Sequence, residues 1–339
     1  MTVEIGVVFD GFDDAREMIR LARGAEAAGA ASVWVAEHMG WREAVTACAG
    51  IAVATETVRL VPTAISPYLW HPTLTAMALA TLEELAPGRV AVAVSVGNLL
   101  NLKESGHEPV RPVAAIGNMV SDLRALWTGE PVRREAPAYR LDGAYMNFAP
   151  SVALPIYVAS TGPQVLRLSG RIADGVLLSG GLTLESTRRC LAFAEEGLGV
   201  SGRDRDALRR ASLIYFSVSP DGTAAVEDLK TKLAYLFRSA RHADNIATSG
   251  LAIDHEAIME AVGRRDLPAA AAMIPDEAIE AFCVGGTPAD CRRLLAGYLD
   301  AGIEEPILQI SGTPENKALA LDLVREFAAS QGPVRPSSR

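Results

Sequence analysis

Residues 32 to 97 constrain the fold of this chain most tightly. They read strand, helix, strand, helix, strand: SVWVA, a short helical run, VRLVPTAISPY, HPTLTAMALATLEELAPGR and VAVAVSVG. Short Val-rich runs between amphipathic Ala/Leu/Glu segments predict βα units on a parallel sheet. A parallel strand is covered on both faces, and its return connection needs a helical crossover. Such folds carry their chemistry at the C-terminal ends of the strands. Glu37, His38, Ser66 and Asn98 all fall there.

The rhythm continues along the chain. Strands are expected at 3–9, 32–36, 59–64, 90–96, 155–159, 175–179, 211–218 and 306–310, with helices between them. The Asp13-Asp14 pair suits the start of the first helix, and Pro72 the first turn of the third, where its missing N–H costs nothing. Two short extended pieces around Asp142-Gly143, within 130–152, predict a hairpin. Helices are expected at 223–242 and 255–262 with no strand between them, which makes 219–275 a mostly helical insertion. Eight strands alternating with helices predict an α/β fold, a (β/α)8 barrel, forming one domain over 1–330 with 331–339 as a frayed tail. An open doubly wound sheet is the rival, weakened because no GxGxxG follows the first strand.

The net charge of −9, without a Lys/Arg run, argues against non-specific binding to nucleic acid or an anionic membrane. Residues 1–9 lack a signal peptide's basic start and apolar core, and no apolar run approaches the ~20 residues of a membrane helix. Cys48, Cys190, Cys283 and Cys291 show no CxxC or Cys/His ligand spacing, which suits inert thiols in a reducing, cytoplasmic compartment. His38, His71, His107, His242 and His255 form no pair at metal spacing, so no metal is expected. There is no Gly-x-Ser-x-Gly elbow, Walker loop or His-Glu-x-x-His. A bound organic cofactor that supplies the reactive centre explains a barrel with so few catalytic groups.

Three strand-end features remain. Glu37-His38 either exchanges protons with a ligand or is a helix-capping Glu beside a packed His. The run 62–67 (PTAISP) is either an ordinary exit from a strand or a bulge that presses backbone against a planar ligand. The loops Ser160-Thr161-Gly162-Pro163-Gln164 and Ser179-Gly180-Gly181 are either plain turns or phosphate cradles that use hydroxyls and N–H groups at helix starts.

The segments SVWVAEH (32–38), ATETVRL (54–60), Ser66-Pro67-Tyr68, PTLTAMALATLEELAPGR (72–89), PIYVASTG (155–162), ADGVL (173–177) and AIEAFCVGGT (278–287) resemble the luciferase-like oxidoreductase superfamily. Within it the chain is most similar to the deazaflavin-dependent branch and its methylenetetrahydromethanopterin reductases. The resemblance implies coenzyme F420 as cofactor, with FMN the alternative, at the C-terminal strand ends. It implies a non-prolyl cis peptide at Thr63–Ala64, with Thr63 where relatives often have Gly. It places Glu37 where Asp is usual and Asn98 where Asp is frequent, and gives Ser66 and the 160–164 and 179–181 loops to the cofactor. The pterin reductases carry a glutamate on strand one where this chain has Val8, which points to a changed substrate.

The expected activity is hydride transfer between the deazaflavin and a C=C, C=N or C=O bond of a small molecule, with His38 exchanging the proton and Glu37 orienting it or the ring. Trp41, Tyr68, Trp70, Glu104, His107 and Arg111 are the substrate-facing candidates, the last three in the 98–112 loop, although each also suits rim packing. The alternatives are an FMN-dependent monooxygenase and a non-catalytic flavin-binding protein. The second and third helices of related barrels pack across a dimer interface, and the small residues on those helices here permit a homodimer.

Overall fold

The computed structural model describes residues 3–330; the expected tail, 331–339, lies outside the described residues. The described residues form eleven strands: β1 (Gly6–Phe9), β2 (Ser32–Ala36), β3 (Arg59–Thr63), β4 (Val92–Val94), β5 (Val132–Glu135), β6 (Arg140–Ala144), β7 (Ile156–Ala159), β8 (Gly175–Leu178), β9 (Arg209–Val218), β10 (Val284–Gly286) and β11 (Glu305–Ile310). The chain groups into two compact units, one of residues 8–177 and 192–210, the other of residues 3–7, 178–191 and 211–330.

In the first unit, β2 and β3 pair in parallel from Ser32↔Arg59 to Ala36↔Thr63. The bridges Leu60↔Val90 and Ile65↔Val94 link the β3 segment to the β4 segment. From there β4 pairs with β7, and β7 with β8, both in parallel. These registers align the C-terminal ends of β2, β3, β4 and β7. Trp34 is fully buried, its indole N–H donating to Ser32 Oγ at 2.8 Å, so its polar edge is satisfied inside the core. Arg89 donates to the carbonyls of Ala52, Thr55 and Val58, which closes the C-terminal end of the helix Ala44–Ala52.

The hairpin of β5 and β6 departs from expectation. Its turn lies at 136–139, where Ala136 N–H bonds Tyr139 O, and not at Asp142-Gly143. The register shifts between Val132↔Ala144 and Arg133↔Asp142, and this leaves Gly143 as the extra residue of a bulge. Its φ of +81° is open to glycine at little cost, so the Asp-Gly signal marked a bulge and not a turn. Fully buried Asp122 accepts from Arg134 Nε at 2.9 Å and from Tyr139 Oη at 2.8 Å, latching the hairpin to the helix Pro112–Leu126.

In the second unit, β1 pairs with β11, β11 with β9, and β10 with β9, all in parallel. The first strand starts at Gly6, later than expected, and β10 was not foreseen. Within 219–275 lie the helices Thr223–Leu236, Ala243–Thr248, His255–Gly263 and Leu267–Ala272. They share a buried apolar cluster that includes Leu229, Leu233, Phe237, Ile258 and Phe282.

Candidate active site

The site residues of the first unit are set by where β2, β3, β4 and β7 end. Glu37 directly follows β2, and its backbone N–H bonds the carbonyl of Thr63 at the end of β3. The Thr63–Ala64 peptide that follows is cis, as the resemblance implies. The chain then rejoins its neighbour, with Ile65 N–H bonding Ala93 O. Ser66, also buried, donates to Val96 O at 2.6 Å and accepts from Tyr68 N–H, which ties the β3 exit to the β4 exit. Its hydroxyl proton is therefore committed to the backbone.

Glu37 and His38 are both half-buried and differently held. The Glu37 carboxylate accepts from Ala44 N–H at 2.8 Å and from Trp70. Burial pushes its pKa above the ordinary carboxylate value, with the Glu43 charge adding to the rise; the bonds from Ala44 and Trp70 and the nearness of His38 oppose it. His38 Nδ1 lies 2.8 Å from Asp10 O. A carbonyl only accepts, so Nδ1 carries the proton and Nε2 is left to take or give one. The imidazole also lies 5.4 Å from the Phe12 ring, and Phe12 lies 4.7 Å from Trp41. A geometrically fixed imidazole beside a carboxyl of raised pKa is suited to proton exchange with a bound ligand.

The β7 exit supplies a different chemistry. The helix Pro163–Ile172 starts after Gly162 with no side-chain cap on its first N–H groups. Ser160 and Thr161 precede it, and Ser160 Oγ accepts from Gly162 N–H at 3.0 Å. An uncapped N-terminus led by hydroxyls favours an anionic group such as a phosphate. Gln164, in the first turn, shares a cleft of about 450 Å3 with Arg111, Asn118 and Leu168.

The other expected residues fall as follows. Asn98 caps the helix Leu99–Glu104, its Oδ1 accepting from Leu100 N–H at 2.9 Å, so part of the expected 98–112 loop is helical. Glu104 and His107 are exposed, and Arg111 adopts a left-handed conformation ahead of the helix Pro112–Leu126. Tyr68 is buried and donates to Val110 O at 2.7 Å, which anchors the end of that segment. Trp41 is exposed, whereas Trp70 is half-buried on Glu37. In the second unit Ser179 is exposed, while Gly180 and Gly181 are buried. A Cβ on Gly180 would lie 2.5 Å from Leu213 Cδ2, and one on Gly181 2.3 Å from Leu236 Cδ2, so close packing accounts for both glycines. Sequence reasoning missed the Asp10 carbonyl and the Phe12 ring; a backbone acceptor 28 residues from its imidazole leaves no residue-type signature.

Among the described residues, no group of three or more His, Cys, Asp or Glu is placed to hold a metal ion. No helix among them is long and apolar enough to cross a membrane.

Parallel βα units with a Glu-His pair at a strand end fit the class of an α/β barrel enzyme. Residues 3–305 match the family described as luciferase-like monooxygenase, and the chain belongs to that family. Its fold is accordingly the (β/α)8 barrel of the luciferase-like type. The chain is similar to a 5,10-methylenetetrahydromethanopterin reductase of Archaeoglobus fulgidus, at 26% identity covering 86% of this chain and 89% of that protein. It is also similar to an F420-dependent glucose-6-phosphate dehydrogenase of Gordonia bronchialis, at 30% identity covering 79% and 83%. The same fold occurs in the coenzyme F420-dependent tetrahydromethanopterin reductase of Methanopyrus kandleri, with a TM-score of 0.89 at 24% identity over 97% of this chain and 99% of that one.

Proposed function

We propose that this protein is a coenzyme F420-dependent oxidoreductase that moves a hydride between the deazaflavin and a C=C, C=N or C=O bond of a small molecule. The observation that carries the reading is His38, held through Nδ1 on Asp10 O and left with Nε2 for proton exchange, in a chain similar to F420-dependent enzymes. The residues present fit such a cofactor: the uncapped helix after Ser160-Thr161-Gly162 suits its phosphate, and the cis peptide at Thr63–Ala64 lies at the end of β3. When bound, the deazaflavin supplies the hydride-carrying ring carbon. His38 Nε2 takes the substrate's hydroxyl proton in the oxidative direction and returns it in the reductive one. Glu37, its pKa raised by burial, lies beside the imidazole and orients it or the ring. Glu37, Thr63, Ala64, Ser66, Asn98 and the 160–164 loop are assigned to the proton relay and cofactor, the first of these shared with the imidazole.

Cys48, Cys190, Cys283 and Cys291 are buried and outside any disulfide among the described residues, which supports a reducing, cytoplasmic setting. Exposed Leu74, Met77 and Leu85 on the helix Pro72–Leu85 support a homodimer formed through that face. The test is turnover of a panel of alcohols, imines and enones with F420 and, separately, with FMN plus a flavin reductase. Turnover with F420 and none with FMN is expected. Oxygen uptake that requires this protein, substrate, FMN, the flavin reductase and NAD(P)H, with no turnover on F420, would make the protein a monooxygenase, and binding without turnover a flavin-binding protein.

A further inference from the structure

Beside His38 the first unit carries an apolar shelf built from two strand exits. Phe12, after β1, and Met39 and Trp41, after β2, are 40%, 41% and 54% exposed. The shelf is ordered. Trp41 N–H bonds His38 O across a tight turn, Phe12 N–H bonds Asp10 Oδ1 at 3.1 Å, and Arg42 donates to Phe12 O at 2.9 Å. Two large aromatic side chains in mutual contact, held open to water beside His38, are costly to solubility and are explained by a ligand that covers them.

The charges on the same exits say what kind of ligand. Segments 10–14 and 37–43 hold five carboxylates (Asp10, Asp13, Asp14, Glu37 and Glu43) and one permanent cation, Arg42. Arg42 is engaged by the Phe12 carbonyl. Asp14 and Glu43 cap the helices Ala15–Ala27 and Ala44–Ala52. An anionic substrate would meet a net negative charge on these exits, with Arg42 their one cation, whereas a neutral hydrocarbon body would meet aromatic faces.

We infer that the substrate is an uncharged alcohol or carbonyl compound with an apolar, ring-sized body, seated on Phe12 and Trp41 with its oxygen toward His38 Nε2. This rests on the oxidoreductase reading above and sets the chain apart from relatives that act on a sugar phosphate.

The test is calorimetric titration of the purified protein, with and without F420, using 1-phenylethanol, acetophenone and glucose 6-phosphate as probes. Either aromatic probe should bind at least about tenfold more tightly than glucose 6-phosphate. Trp41→Ala should weaken aromatic binding about tenfold, and Trp41→Phe should restore most of it, because the ring face and not the indole N–H makes the contact. Circular dichroism of each variant reports whether the fold is kept; Trp41 is exposed, so both should match the parent. Glucose 6-phosphate binding as tightly as acetophenone, or unchanged acetophenone affinity in a folded Trp41→Ala, overturns the inference. Failure of F420 to bind while acetophenone still binds through Trp41 would instead count against the oxidoreductase reading and leave the shelf standing.

Discussion

Protonation of His242 should destabilise the protein as the pH falls below about 6.5. The side chain is half-buried at the end of the 3-10 turn Ala240–His242, with its ring 6.1 Å from that of Phe237. Burial, with the charges of Arg241, His255 and Arg238, lowers its pKa from 6.5 to about 4. The folded protein thus takes up the proton later than the unfolded chain. Stability from the neutral ring is fully present above about pH 6.5 and falls as the pH drops toward 4, because in that window only the unfolded state binds the proton. At about 1.4 kcal/mol per pKa unit, the loss is about 3 kcal/mol. The assay is urea unfolding followed by circular dichroism between pH 4 and pH 8, on the parent and on His242→Gln. Carboxylates titrate in both proteins and cancel in the difference. The variant should gain about 3 kcal/mol on the parent between pH 7 and pH 4. Parallel stability curves would show that His242 is not held neutral by its surroundings.

Three further predictions rest on single contacts. His38→Ala should lower kcat by about 10²- to 10⁴-fold with little change in F420 affinity, read by steady-state kinetics and cofactor titration. Tyr68→Phe leaves Val110 O without its 2.7 Å donor and should cost about 1 kcal/mol, measured by thermal melting, while hastening proteolysis within 105–111. Gly170→Ala would put a Cβ 2.0 Å from Ala194 O, a backbone atom that side-chain rotation cannot move, so a loss of about 3 kcal/mol or more is expected in urea unfolding.

Much of this architecture was legible in the residues. Strand β2 falls at Ser32–Ala36, and Pro72 opens the helix Pro72–Leu85 from its first position, because a buried Val-rich run and a proline at a helix start each permit few alternatives. The cis bond at Thr63–Ala64 came from resemblance and not from composition. Asn98 shows why other features were hidden. A polar residue at a strand end reads equally as ligand contact or helix cap, and the short helix it caps has too few residues to show a period. The same holds for Trp70, whose bond to Glu37 links two strand exits far apart in sequence. His38 was readable as a residue, whereas the Asp10 carbonyl that fixes its tautomer was not, since any residue type supplies a carbonyl.

The central claim is that these strand ends form a deazaflavin site, and equilibrium titration of the purified protein with F420 and with FMN, followed by fluorescence, tests it most directly. Saturable binding of F420 at least about tenfold tighter than that of FMN is the expected result. Preferential binding of FMN, or binding of neither, would contradict it.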